Sequence, residues 1–270
     1  MTRKEKKFEA KSNIVFLISG LFAALIFVFI FGIKVLDVTY DDWLFFGLNK
    51  KDLIQHYMGW VNFRKSPWHF PVGLTDGIIY PHRVSVMYTD SIPLFAVIFK
   101  LVSGILPATF QYFGWFCLLS AALLGGFAAL CVFSGITKTS GTDFRGYTDF
   151  GMAKAPASSG AAVLYAGISA LFFTTSVFFL QRVFWHTALS AQWLILAALY
   201  VWWYREKACS TRRAAVVWTL LSVCALLTEA YFVPMVWGIF VCSQLSEIIR
   251  RGQAGKKASG IFRAVIIAVT

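Results

Sequence analysis

A basic stretch followed by a long apolar run most constrains what this chain can become. Met1 to Ser12 carries five Lys/Arg and two Glu, and a nearly uninterrupted apolar segment then extends from Asn13 to Leu36. Such a run exceeds the roughly 20 residues that a helix needs to cross the hydrocarbon core of a bilayer. It is too long for a signal-peptide core, and no small-residue cleavage site follows it. The sequence therefore predicts an uncleaved first span over 13–36, with residues 1–12 as a cytoplasmic tail. Similar runs recur at 91–106, 110–135, 159–181, 187–204, 214–230 and 231–246. Composition agrees, because 58% of the 270 residues are hydrophobic and 14% are charged. Soluble domains carry about 25% charged residues. A water-soluble fold of this size could not bury so much apolar surface. The expected fold is all-α, a polytopic transmembrane helix bundle forming one domain over 1–270.

The formal charge of +12 raises nucleic acid as a partner, but the distribution of charge argues against it. Lys and Arg cluster between apolar runs, the pattern left when basic loops stay on the cytoplasmic side. The run at 91–106 decides the topology. If it spans, the basic loops at 136–158 and 205–213 fall outside. If it is re-entrant or lies on the surface, the N-terminus and the loops at 136–158, 205–213 and 246–260 place 16 Lys/Arg in the cytoplasm. Pro93, Lys100 and Pro107 also make 91–106 a poor span. The re-entrant reading is therefore adopted. It gives a large outer loop over 37–109 built from short juxtamembrane helices, five further spans over 110–246, and the start of a seventh at 261–270. The chain then reads as the front part of a longer protein, in a cytoplasmic membrane with its N-terminus in the cytoplasm and membrane lipid as a partner.

This topology gathers the chemistry-bearing residues on one face of the membrane, including all four histidines: His56, His69, His82 and His186. Asp52 and His56 are one helical turn apart and share a face. An imidazole-oriented carboxylate near the membrane surface can serve as a general base, although Asp and His at this spacing also occur on ordinary solvated faces. Asp41 and Asp42 stand just beyond the first span. Acidic pairs there are usually solvated, but they stay as candidates for a divalent cation. No cofactor is otherwise expected. Asp90 precedes Ser91-Ile92-Pro93, which fits a helix N-cap and equally a carboxylate facing a cavity. Lys100 and Arg182 lie within or at the end of apolar helices, where charge is costly and marks function. Either can hold a phosphate, and snorkelling to headgroups is the plainer alternative. Glu229 lies between two apolar runs and is expected to face protein or water rather than lipid. The five cysteines show neither metal-ligand spacing nor a disulfide framework. Phosphate-loop, paired-histidine zinc and nucleophile-elbow motifs are absent from the sequence.

With these residues in view, the chain resembles a group of uncharacterised bacterial multispan proteins related to the type C (GT-C) glycosyltransferases. The segments that carry the resemblance are Asp52-Leu-Ile-Gln-His-Tyr-Met-Gly-Trp, Phe63-Arg64 with Pro67-Trp68, Thr89-Asp90-Ser91-Ile92-Pro93-Leu94, and His186-Thr-Ala-Leu-Ser-Ala-Gln-Trp-Leu. The resemblance implies a GT-C-like enzyme that takes a sugar from a polyprenyl-phosphate carrier and inverts its anomeric centre. The acceptor would be a cell-envelope glycan or lipid. Carried over by position, Asp52 would be the base, with Asp90 and His56 in the catalytic group. Arg64, Trp68, Lys100, Arg182, His186 and Glu229 would bind the donor, the basic ones neutralising the departing phosphate. Asp52 is followed by Leu rather than by a second acidic residue, whereas Asp41-Asp42 forms an adjacent pair, so both positions stay open for the base. A transporter or flippase, with Lys100 and Glu229 along its path, is the alternative, and a non-catalytic assembly protein is the third reading. Transporters often carry internal repeats, and none is found here.

Overall fold

A computed structural model describes residues 3–45, 51–139, 159–205 and 211–253 of the chain. The start of a seventh span at 261–270, Cys209, and most of the basic loops at 136–158 and 205–213 lie outside these residues.

Helix dominates. The first long helix, α1 (Arg3–Phe31), is followed by a segment that holds α2 (Asp42–Phe45), α3 (Lys51–Lys65), a hairpin of β1 (Leu74–Ile79) and β2 (His82–Ser85), and α4 (Pro93–Leu101). The bundle continues with α5 (Phe113–Thr139), α6 (Ser159–Thr174), α7 (Val177–Trp185), α8 (Trp193–Tyr200), α9 (Thr211–Thr228) and α10 (Phe232–Gln253). A π-helical turn, Val201–Arg205, extends α8.

Three helical segments are long and apolar enough to cross a membrane: Phe8–Phe31, Phe113–Thr137 and Phe232–Ile249. A fourth arises if Gly160–Thr174 and Val177–Trp185, bent by 41° relative to each other, form one broken span. The protein is a multi-pass helical membrane protein. Its outward faces agree: Leu17, Phe29, Leu164, Phe172, Leu220 and Leu245 are all exposed, which water would penalise and lipid does not. The remaining two expected spans are less regular. Residues 187–190 form a separate 3₁₀ turn before α8, and α9 carries Arg212 and Arg213 in its first turn.

Local chemistry explains the bend between α6 and α7. The hydroxyls of Thr174 and Thr175 donate to the carbonyls of Ala170 and Leu171, at 2.6 and 2.8 Å. Bonds of this kind bend helices. Ser176 then caps α7, accepting from the Phe179 amide at 3.3 Å. Helices α1 and α5 approach closely through small residues. A Cβ on Gly20 would stand 2.9 Å from the Ala122 carbonyl oxygen, and one on Gly126 would stand 2.8 Å from the Phe16 ring. Small residues at contacts let membrane helices pack closely without a hydrophobic driving force between them.

The segment between α1 and α5 contains short helices, as expected, and also the β1–β2 hairpin, which the all-α reading did not include. The strands are antiparallel, pairing Leu74 with Ser85, Thr75 with Val84 and Ile79 with His82. The pairing breaks between Thr75 and Ile79, where Gly77 takes φ +82, the left-handed region that glycine enters without a Cβ clash. Helix α4 has nine residues and rises about 14 Å at 1.5 Å per residue, less than half of a bilayer core of about 30 Å.

An aromatic cluster fastens this segment to the bundle. Tyr112 stacks against Phe99 and Phe113, with centroids 5.3 and 4.6 Å away. Trp60 is fully buried and its indole N–H donates to the Phe110 carbonyl at 2.9 Å.

Candidate functional site

Four chemistry-bearing residues from distant parts of the chain meet where α3, the Asp90 turn, the end of α7 and the α9–α10 junction converge. Each has a local reason for its position. His56 lies on the inner face of α3, fully buried, on the same face as Leu53, Trp60 and Phe63. Asp90 ends the 3₁₀ turn Val86–Thr89 with φ 51, and Ile92 shares that left-handed φ. A β-branched residue tolerates this conformation poorly. Here the surroundings enforce it: Ile92 is completely buried, the Ser91 hydroxyl donates to the His56 carbonyl at 2.6 Å, and the Tyr112 hydroxyl donates to the Ser91 carbonyl. Asp90 is not the cap of α4. Ile92 holds that place without a side-chain bond, and Pro93 opens the helix. The turn aims the Asp90 carboxylate at the histidines instead.

His186 follows α7 and leads into the 3₁₀ turn Thr187–Ser190. Its Nε2 lies 3.3 Å from Asp90 Oδ2, and His56 Nε2 lies 3.9 Å from the same oxygen. The two imidazoles meet edge to face, with centroids 4.6 Å apart. His56 Nδ1 is 3.0 Å from the Thr187 hydroxyl. Glu229, buried at the end of α9, pairs with Asp90 carboxyl to carboxyl. Three buried atoms in this group have no hydrogen-bond partner: His56 Nε2, His186 Nδ1 and Glu229 Oε2. Buried polar atoms are nearly always paired, with protein or with ordered water, so this group has bonding capacity that the protein itself does not fill.

Electrostatics divides the two carboxyls. Burial pushes Glu229 up to about 7, and the charge of Asp90 adds to this, while His186 opposes it. Burial also pushes Asp90 upward, but the hydrogen bond from His186 and the charge of that imidazole prevail and hold it below its ordinary value. Burial, reinforced by His186, pushes His56 down to about 3, so its imidazole is neutral. Carboxyls whose environments push them apart in this way take different proton-transfer roles. Deprotonated carboxylate and neutral imidazole are also the forms that bind metal. His56, Asp90 and His186 together form a group whose ligand atoms all lie within 4.8 Å of one another.

The other candidates stand apart from this centre. Asp52 is exposed, one turn before His56, and lies outside the cluster. Asp41 hydrogen-bonds the Tyr57 hydroxyl and Asp42 is exposed; among the described residues, neither belongs to a grouping with metal-ligand geometry. Arg182 is exposed on α7, one turn before His186. Arg64 and Lys100 are engaged elsewhere. Arg64 directs five hydrogen bonds, of 2.8 to 3.2 Å, at the Ser103 hydroxyl and the carbonyls of Ser103, Leu106, Pro107 and Ala108. That occupies the full donor set of a guanidinium. Lys100 donates to the carbonyls of Phe63, Ser66 and Pro67, at 2.6, 2.9 and 3.3 Å. Its Nζ lies 4.0 Å above the Phe63 ring and 4.8 Å from that of the half-exposed Trp68. Thr187 is the functional neighbour that sequence reasoning passed over, although it directly follows His186.

No curated protein and no solved structure matches the chain. A family described as a domain of unknown function, DUF6311, matches residues 20–270, and the chain belongs to that family.

Proposed function

We propose that this protein is a glycosyltransferase of the bacterial cytoplasmic membrane, moving a sugar from a polyprenyl-phosphate carrier to an extracytoplasmic glycan or lipid. The observation that carries the reading is the meeting of buried His56 and Glu229 with half-buried Asp90 and His186 at one end of a helical bundle. A lipid-anchored donor would approach such a site from the bilayer.

In this reading Glu229 is the base, because its Oε2 is buried without a partner. The acceptor oxygen attacks the anomeric carbon and gives its proton to Glu229. The bond from that carbon to the carrier phosphate breaks, and the phosphate leaves with the electron pair. Attack opposite the leaving group inverts the centre. Asp90 remains ionised between the imidazoles, and its negative charge keeps Glu229 basic. Arg182, exposed one turn before His186, reaches for the departing phosphate, where positive charge is needed as negative charge develops. The transporter alternative used Lys100 as a charge along a path; its three carbonyl partners favour the enzyme.

The test uses full-length protein in proteoliposomes with a panel of radiolabelled polyprenyl-phosphate sugars and a broad acceptor mixture. Wild type is expected to release label from the carrier. Glu229→Gln should slow release by about 100- to 10,000-fold, the usual worth of general base catalysis. Asp52→Asn should stay within a few-fold of wild type. Collapse in Asp52→Asn with Glu229→Gln active would return the base to Asp52. No consumption of any donor would move transport or assembly ahead.

A further inference from the structure

We propose that His56, Asp90 and His186 bind one divalent transition-metal ion of the zinc class. This goes beyond the transfer reading and does not depend on it.

Donor chemistry comes first. Two imidazoles and one carboxylate suit zinc and its neighbours, whereas magnesium and calcium prefer all-oxygen sets. Geometry follows. Zinc takes ligands at about 2.0–2.1 Å, so the edge of a tetrahedral set is about 3.3–3.4 Å. The His186 Nε2 to Asp90 Oδ2 distance of 3.3 Å already has that length, and the His56 Nε2 to Asp90 Oδ2 distance of 3.9 Å is slightly longer. All three ligand atoms lie within 4.8 Å of one another, so the set closes inward on binding an ion.

A further argument comes from His56. Its Nδ1 lies 3.0 Å from the Thr187 hydroxyl. If that nitrogen donates to the hydroxyl, Nε2 carries a lone pair, aimed at Asp90 with no hydrogen bond of its own. A metal-bound histidine typically donates its other N–H in this way, which fixes the ring and its tautomer. The side chain is fully buried, so bulk solvent does not reach that lone pair. Three protein ligands leave the fourth position open, as in catalytic rather than structural zinc sites. Glu229 is hydrogen-bonded to Asp90, one of the three ligands.

The test needs neither donor nor acceptor. Untagged full-length protein in detergent is stripped with chelator and titrated with Co²⁺ and Zn²⁺. Wild type should take up one ion per chain, with visible Co²⁺ absorption. His186→Gln and Asp90→Asn should each lose it, while Asp52→Asn and Asp41→Asn retain it. Thr187→Val should bind about 10- to 100-fold more weakly without losing the site, the usual effect of removing an outer partner. X-ray absorption on the zinc-loaded wild type should report two imidazole ligands, a readout that does not depend on the variants folding. Absence of a bound ion, its retention in both His186→Gln and Asp90→Asn, or a spectrum without imidazole would each overturn the proposal. A wild type that binds the ion but consumes no donor in the separate transfer assay would count against the enzyme reading and leave the metal site standing.

Discussion

Lys100 and Arg64 act as a reciprocal clamp between the ends of two short helices. Lys100, on α4, donates to carbonyls at and just beyond the C-terminus of α3, and Arg64, near the end of α3, donates to carbonyls in the turn after α4. Helix ends leave carbonyls without partners, and here the cation of each helix reaches carbonyls at or beyond the end of the other. Lys100→Met should therefore destabilise the protein by about 1.5–3 kcal/mol, the range for hydrogen bonds to charged groups. It should leave donor KM unchanged, whereas a phosphate ligand would raise KM without that loss of stability. Thermal unfolding beside initial-rate kinetics separates the two. Gly59→Ala is expected to be at least as severe. Its Cβ would run into the Thr89 and Ser91 hydroxyls and Thr89 Cβ, and the resulting shift of the turn would move Asp90 away from both histidines. The measurable outcome is a lower melting temperature together with lost metal uptake. At this scale the sequence singles out Asp90 as a helix cap or cavity carboxylate, His186 at the start of an apolar run and Glu229 between two such runs; that the three meet is visible only in the fold. Nothing in the sequence announced that Lys100 and Arg64 would meet free carbonyls, because those become visible only once the helix ends are placed.

The long helices were readable because a run of about 20 apolar residues has few other stable fates. The hairpin was not, because Leu74–Ile79 and His82–Ser85 are short, mixed in polarity and embedded in an aromatic loop. An ion cluster supports it: Asp76 meets His69 Nε2 at 2.7 Å and Arg83 Nε at 3.1 Å. The hydrogen bond from His69, helped by that from Arg83, holds the Asp76 carboxyl below its ordinary 3.8 against the opposing effect of desolvation. A carboxyl depressed in the folded state contributes stability that is present above its unfolded value and is lost as pH falls through the folded value. Hairpin amides should therefore exchange faster with deuterium as pH drops below about 4, after correction for intrinsic rates. Asp76→Asn should already be faster at neutral pH and should lack the acid-dependent step. An identical acid profile in wild type and variant would remove Asp76 as its cause. Exposed charges of this kind are screened by salt, so the difference should also shrink at high ionic strength.

Across the molecule, chemistry and basic charge lie at opposite ends of the bundle. Helix α1 ends, α5 begins, α7 ends, α9 ends and α10 begins at the end where His56, Asp90, His186 and Glu229 gather. The opposite end receives the start of α1 with Arg3 and Lys4, the π-helical turn closing on Arg205, and the first turn of α9 with Arg212 and Arg213. Basic loops are retained in the cytoplasm during insertion, so the site end should face outward. Two single cysteines test this against the unaltered chain. Tyr80, 90% exposed beside the hairpin turn, becomes Tyr80→Cys, and Arg212, exposed at the start of α9, becomes Arg212→Cys. A membrane-impermeant maleimide added to intact cells should label Tyr80→Cys at once and Arg212→Cys only after permeabilisation. The reverse pattern would place the site in the cytoplasm, where an outward-acting transferase could not use it. Labelling of both from the same side would mean that the helices do not alternate across the bilayer as the fold implies. Because the reagent reads accessibility and not activity, the result stands whatever the site transfers or binds.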